Sequence, residues 1–392
     1  MTQTKNPQDN TTSGAMPRRD FLKSAAVFAA AASAAPLCAQ PKPPAPGAGA
    51  ELLSVKRIWS ATEKSDFRES EMVWFKGRFY ASFLERGVAR PDLGKKSSMP
   101  DGRLQIISSV DGEQWEPVRQ FGIPGQDFRS PQITVTPDGR LLATATLGRG
   151  AVGGMAWFST DGKTWSERIN IAPPDLEFWD IGWKGNTAYV INYVARDEEP
   201  VRLYRSVRDV GDWNAKNGIR FEVVNPNLLP NGYPDGRTPV QARIRLVEPC
   251  LHFTDGGTCY VLTRRQSEIE GMATTGMMGI SKPPYQNWKW TILKDKVAMP
   301  DMIRLPDGRF VAGTRLYRDL PKNVPGGRRT ALVWVYPKEG RIEEIITLPS
   351  GNHTGSTGVV YKDGIIWVAY HSGHEGKLYT STSIYLAKVR LK

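Results

Sequence analysis

Glu248 and Arg264 stand eight residues before and eight after Gly256, in an Asp255-Gly256 turn between two apolar runs. Folded as a hairpin, that spacing brings a carboxylate and a guanidinium to one end of two paired strands. The construction recurs about other short turns. It gathers Arg68 with Glu85-Arg86, Arg129 with Arg149, Asp301 with Arg315, and His371 with His374, while Arg329 opens a further apolar run. Guanidinium forks hold carboxylates through paired, charge-assisted hydrogen bonds, so a rim rich in arginine suits an anionic ligand. A solvated charged rim is the plainer reading of the same residues. Glu71, Asp180 and Asp301 begin apolar runs at that end, where a carboxylate is more often structural than catalytic. His353 and His371 lie near the last turn, but no metal-ligand spacing is present and no cofactor is expected.

The elements that must position these groups are short strands. Six turns, Lys76-Gly77, Asp138-Gly139, Lys184-Gly185, Asp255-Gly256, Asp307-Gly308 and Asp363-Gly364, close hairpins along residues 54–392, and no convincing amphipathic helix intervenes. Second hairpins lie between them. Two carry the repeat Ser-x-Asp-Gly-x-x-Trp, at 109–115 and 159–165, in which Asp accepts backbone N–H groups across the turn and Trp covers the neighbouring hairpin. Ser206 with Trp213 and Ser281 with Trp288 keep the ends of that pattern, and another hairpin turns at Lys338-Glu339-Gly340. The last run, Ser383–Arg390, lacks a partner that Ser54–Trp59 can supply, closing a ring. The expectation is an all-β, six-bladed β-propeller. Most strand tryptophans are then packing, and Trp179, at a strand start, is the better stacking candidate for a sugar.

The two repeats resemble the Asp-box of sialidases, one residue shorter than usual, and residues 54–392 resemble that superfamily. Phe67-Arg68 stands where sialidases place Tyr-Arg-Ile-Pro, here without the Ile-Pro. Glu248-Pro249 with Arg264, and Arg329-Thr330-Ala331-Leu332, resemble the segments that carry a catalytic Glu and two further arginines. The resemblance implies a carboxylate clamp of Arg68, Arg264 and Arg329, with Arg265 and Arg328 as alternatives to the second and third. It also implies a catalytic acid in the loop after the first hairpin, where Asp92 and Asp101 stand. Phe128-Arg129-Ser130-Pro131, Lys282-Pro283-Pro284-Tyr285 and His374-Glu375-Gly376-Lys377 are similar to secreted bacterial sialidase-like proteins. The stretch 353–358 departs from the family, having no tyrosine where the nucleophile belongs; Tyr317 and Tyr370 could reach the mouth from elsewhere. Two carboxylates can share glycoside hydrolysis without it, Glu248 with Asp92 or Asp101.

The implied function is an exo-glycosidase acting on a terminal acidic sugar. A uronate lyase using His353 or His371 with Tyr193 or Tyr317 is the alternative, and a glycan-binding propeller without catalysis a third. Arg18-Arg19-Asp20-Phe21-Leu22-Lys23 ahead of an Ala-rich stretch to Ala35 looks like a twin-arginine export signal, with cleavage near Ala39 and a Pro/Gly/Ala linker through residues 40–50. The expected domain is 51–392, in the periplasm or beyond. The net charge of +12 favours an acidic partner such as an anionic oligosaccharide. No basic, aromatic-interleaved cluster suggests nucleic acid, no segment is long enough for stable membrane insertion, and a monomer is expected. Cys250 and Cys259 face each other diagonally on one hairpin and read as packed thiols.

Overall fold

A computed structural model describes residues 49–62, 65–87, 102–147, 153–174, 176–192, 200–236, 244–267, 275–317, 327–376 and 381–392. Strand β1 is Ala50–Trp59, and the first sheet follows as β2 (Ser65–Phe75), β3 (Arg78–Gly87), β4 (Arg103–Ser109) and β5 (Glu116–Phe121). Next come β6 (Phe128–Val135), β7 (Leu141–Leu147), β8 (Gly154–Ser159), β9 (Ile169–Ala172), β10 (Gly182–Lys184), β11 (Thr187–Ile191), β12 (Leu203–Ser206) and β13 (Ile219–Asn225). These eight form one sheet, in which two antiparallel meanders are joined by a short parallel pairing of β9 with β13. Two four-stranded sheets then run β14 (Ile244–Phe253), β15 (Cys259–Ser267), β16 (Met277–Ser281), β17 (Trp288–Ile292), and β18 (Val297–Arg304), β19 (Phe310–Tyr317), β20 (Arg328–Tyr336), β21 (Arg341–Thr347). The last sheet holds β22 (Thr354–Lys362), β23 (Ile365–Ser372) and β24 (Ser383–Leu391), and β1 completes it by pairing antiparallel with β24 from Ala50↔Leu391 to Trp59↔Ile384. The helical element among the described residues is a 3-10 turn, Val210–Asp212.

The two-residue turns behave as their sequences require. Lys76 and Gly77 have φ of 46° and 82°, and Asp363 and Gly364 have 52° and 77°, the left-handed pair that matches the twist of the flanking strands. At Thr254–Thr258 the positive φ falls on Gly257 rather than Gly256, so that hairpin closes through a longer turn. The first strands pack against one another, β2 against β6 and β22, and β14 against β10 and β18. The apolar clusters are shared between neighbouring sheets. Leu104 and Phe121 of one sheet meet Leu141 and Trp157 of the next, with Phe121 stacked on Trp157 at 4.2 Å. Trp179 is 3% exposed and belongs to such a cluster's surroundings, not to an open platform. Cys250 and Cys259 are free, buried thiols.

The two Ser-x-Asp-Gly-x-x-Trp turns share one geometry. Asp111 Oδ1 accepts Glu113 N at 2.7 Å and Gln114 N at 3.2 Å, and Asp161 Oδ1 accepts Lys163 N at 2.8 Å and Thr164 N at 2.7 Å. Ser109 and Ser159 hydroxyls accept Gly112 N and Gly162 N, both at 2.8 Å. Each turn seats on the preceding sheet of the ring. A Cβ on Gly112 would meet Trp367 at 2.5 Å, and one on Gly162 would strike the Tyr80 hydroxyl. Lys163 N and Thr164 N hold Asp161 down at about 2. Its contribution to stability is therefore present above about pH 4, the unfolded value, and is lost as pH falls toward 2. Asp161→Asn is expected to be less stable than the parent at pH 6, with the gap closing between pH 4 and 2 in urea titrations. Trp115 and Trp165 are half-buried, so replacement by alanine should cost about 2–3 kcal/mol, below the full-burial range, by the same measurement.

Candidate functional site

At one end of the molecule the same local distortion recurs in strand after strand. Register breaks between Arg68 and Glu71, Arg129 and Gln132, Val247 and Cys250, Ala298 and Asp301, and Gly355 and Thr357. Within each bulge a residue other than glycine takes positive φ: Glu69 56°, Ser130 46°, Glu248 55°, Met299 52° and Ser356 48°. Such a conformation costs roughly 1–2 kcal/mol per residue and persists only where surrounding contacts impose it. Pro131, Pro249 and Pro300 follow three of these residues, since a bulge leaves no ladder hydrogen bond for proline to lose. Thr263 and Thr314 hydroxyls, from the second strands, donate to the carbonyls of Val247 at 2.9 Å and Ala298 at 3.0 Å.

The bulged side chains bond across to the next sheet. Glu69 Oε2 accepts Ser130 N at 3.0 Å, and Glu248 Oε2 accepts Met299 N at 2.7 Å. Ser70 Oγ donates to Ser356 O at 2.7 Å. One step deeper, Asp180 Oδ2 accepts Leu251 N at 2.9 Å, Cys250 Sγ accepts Met302 N at 3.2 Å, and Asp301 Oδ2 accepts Val359 N at 2.6 Å. Glu71 and Asp301, expected at the mouth, thus sit below it on the axis side of the strands. Burial first, then the neighbouring Asp180, pushes Asp301 up to about 8, and burial with the charges of Asp301 and Asp180 raises Glu71 well above its ordinary value.

The arginines sort into three groups. Arg68, Arg86 and Arg129 share one corner: Arg68 pairs with buried Asp66 at 2.5 Å, and Asp127 joins Arg86 at 2.9 Å and Arg129 at 2.8 Å. Arg264 meets Glu248 as its spacing predicts, at 2.9 Å, with the glutamate 3% exposed. Arg315 is 4% exposed; its Nη1 donates to Thr354 O at 3.1 Å and its guanidinium lies 5.3 Å from the Tyr317 ring centre. Arg328 flanks the same ring at 5.9 Å. Arg265 and Arg329 do not join them. Arg265 turns to Asp235 at 3.0 Å and to Thr275 O at 3.0 Å, and Arg329 reaches outward to Glu344 on the outermost strand at 2.6 Å. Successive side chains on a strand point to opposite faces, so of each adjacent arginine pair only one can face the mouth. The expected clamp of Arg68, Arg264 and Arg329 is therefore not a converging set, and each member already carries a carboxylate.

Between Arg315 and Arg68 lies a histidine pair. Glu69 N donates to His371 Nδ1 at 3.3 Å, which leaves the proton of the neutral ring on Nε2. His371 Nε2 then donates to His353 Nδ1 at 3.0 Å, and His353 is the Nε2–H tautomer. Burial first, then the surrounding positive groups Arg68, Arg315, Arg328 and Arg86, pushes His353 down to about 2, and burial with the His353 ring lowers fully buried His371. Sequence reasoning missed Glu69 and the pairing of the two imidazoles; the prolines inside inner strands were the available signal for the bulges. Tyr370 does not reach the mouth: it is fully buried and donates to Pro349 O at 2.7 Å. Asp92, Asp101, Arg149 and Tyr193 lie outside the described residues.

No protein-family model matches the chain, and no curated protein matches it. Solved structures do. A protein of unknown function from Dyadobacter fermentans DSM 18053 aligns with a TM-score of 0.66 at 16% identity, over 88% of this chain and 100% of that one. The GH93 alpha-L-arabinofuranosidase of Fusarium graminearum, in complex with arabinobiose, aligns with a TM-score of 0.57 at 12% identity, over 87% and 98%. Trypanosoma rangeli sialidase with the inhibitor DANA aligns with a TM-score of 0.55 at 11% identity, over 86% and 59%. At these identities the likeness establishes the fold alone, a β-propeller.

Two outcomes follow from the geometry. Removing Glu248 by Glu248→Ala breaks its ion pair with Arg264 and takes the acceptor from Met299 N, and should cost about 1.5–3 kcal/mol in denaturant unfolding, with Glu248→Gln recovering part through the Met299 bond. Asp301 binds its proton more tightly folded than unfolded, so its contribution is greatest below about pH 4 and declines as pH rises to 8. Asp301→Asn should therefore lose less stability than the parent between pH 5 and pH 8.

Proposed function

We propose that the chain is a six-bladed propeller, exported by the twin-arginine route, that releases a terminal acidic sugar from a glycan as a monomeric exo-glycosidase. Counting the two meanders of the eight-stranded sheet separately gives six four-stranded units, with β1 completing the last. The observation that carries the substrate class is Arg315. Its Nε is buried without a hydrogen-bond partner, and among the described residues no carboxylate pairs with it. A buried guanidinium lacking a counter-ion is costly, by several kcal/mol after relaxation, and an arriving carboxylate offsets that cost. Arg68, Arg264 and Arg329 are internally neutralised, which favours Arg315, with Arg328 beside the same Tyr317 ring, as the anchor.

In this mechanism the sugar carboxylate bonds Arg315, and Glu248, bonded to Met299 N on the strand that pairs with that of Arg315, presents negative charge to the developing oxocarbenium-like centre or activates water. Asp92 or Asp101 protonates the leaving oxygen. The family tyrosine has no counterpart in 353–358, so no tyrosyl-sugar intermediate is expected. The histidine pair supports a second reading, a uronate lyase. There Arg315 and Arg328 would neutralise the carboxylate, His353 would take the α-proton and Tyr317 would protonate the departing oxygen.

Screening acidic glycans with mass-spectrometric product detection separates these readings. A hydrolase releases a saturated reducing sugar, a lyase an unsaturated uronate that absorbs in the near ultraviolet, and a binding protein nothing. Arg315→Gln is expected to weaken binding of a carboxylated substrate by about 1.5–3 kcal/mol, and Glu248→Gln to lower kcat more than it raises KM. Full activity in both variants would sink the proposal.

A further inference from the structure

At the end of the molecule opposite the mouth, the turns of the sheets β14–β17 and β18–β21 line an open pocket of about 660 Å3. That is within the usual size of small-ligand sites, roughly 300–1,000 Å3. Its lining combines Trp334 and Tyr336 with four cations, Lys282, Arg304, Arg309 and Lys338. The acidic groups nearby leave much of that charge available. Glu339, also in the lining, is drawn to Arg341 at 2.5 Å. Arg304 pairs at 3.0 Å with Asp255, whose side chain is 96% exposed, a contact worth little against a competing anion. Arg309 lies 4.4 Å over Trp334 and bonds Asp307 through Nε at 2.6 Å, while both its Nη atoms are buried with no hydrogen-bond partner. Lys282 and Lys338 are exposed, and among the described residues no carboxylate pairs with either.

We propose that this cavity is a second binding site for an acidic glycan, holding the polymer whose end is processed at the mouth. The proposal rests on the acidic-glycan reading of the mouth for its ligand class. A sugar ring bearing a carboxylate or sulfate offers its anion to the lysines, while Trp334, 3% exposed beneath Arg309, and Tyr336, covered by Arg341 at 3.6 Å, form the packed floor and not a stacking platform. The cations gather around one open pocket between two sheets and do not form the extended stripe that tracks a nucleic-acid backbone. Two sites on one rigid body raise the local concentration of chain ends at the mouth without any new contact there.

The test uses the full chain with oligogalacturonate, oligoguluronate and chondroitin sulfate as probes, in affinity electrophoresis and calorimetry. The double variant Lys282→Glu/Lys338→Glu, on exposed turns, should fold with parental stability. It should bind at least one probe tenfold or more weakly, and the parent's binding of that probe should fall with salt. Arg315→Gln should leave this binding in place. Equal binding by the parent and the double variant for every probe overturns the proposal. So does equal retention of single-stranded DNA or phosphatidylglycerol vesicles that the same double variant loses, because the site would then be a general polyanion surface. Lysine-dependent binding without turnover of any glycan refutes the mouth reading and leaves this site standing.

Discussion

Everything at the mouth hangs on the bulge at the start of the inner strands. An extra residue in one strand frees backbone groups from the ladder, and near the ring axis those groups cannot be left to water. The chain answers by sending acceptors from one sheet to the next: Glu69 to Ser130 N and Glu248 to Met299 N at the rim, then Asp180 to Leu251 N and Asp301 to Val359 N below. The same carboxylates that could take part in chemistry are therefore fasteners between sheets. Their geometry is held from several directions at once, which is how a site on strand ends is kept rigid.

Charge is disposed unevenly over this framework. The corner around Arg68, Arg86 and Arg129 is balanced by Asp66, Asp127 and Glu69, and Arg264 is balanced by Glu248. Among the described residues Arg315 is held by a backbone carbonyl and an aromatic face, with no carboxylate paired to it. The positive surroundings also keep the His353–His371 pair neutral, so its hydrogen bonds run in one direction, from Glu69 N toward the mouth. Below the rim, Glu71, Asp180 and Asp301 lie close together, and burial raises the pKa of each, with the Asp180 charge adding to the shift of the other two. Acidic conditions and neutral conditions thus stress different layers of the axis.

The opposite end is built from turns, and its order is local. Ser109–Asp111 and Ser159–Asp161 satisfy the N–H groups of their own turns, and Gly112 and Gly162 let those turns lie directly on the adjacent sheet. The β20–β21 turn lacks that motif, yet Gly340 lets it lie against Thr291 of the adjacent sheet, with the basic cavity lined by the turns around it.

Much of the architecture was legible in the chain because it depends on short-range chemistry. Hairpins follow from Gly-bearing turns, facing of Glu248 and Arg264 follows from equal spacing about a turn, and pairing of β1 with β24 follows from two unmatched runs at the ends. Orientation was not legible. Arg264 against Arg265, and Arg328 against Arg329, differ by one residue of register, and bulges shift that register without an obvious mark beyond an inner-strand proline. Nor could spacing join Glu69 to His371, or Arg315 to Thr354, because these groups come from different sheets and meet only when the ring is assembled. By itself the sequence determined which strands form and which end holds the charged side chains, since turns and alternation act within a few residues. Tertiary structure alone decided which of those charges are neutralised and which is left waiting, because neutralisation depends on the neighbour across the gap between sheets.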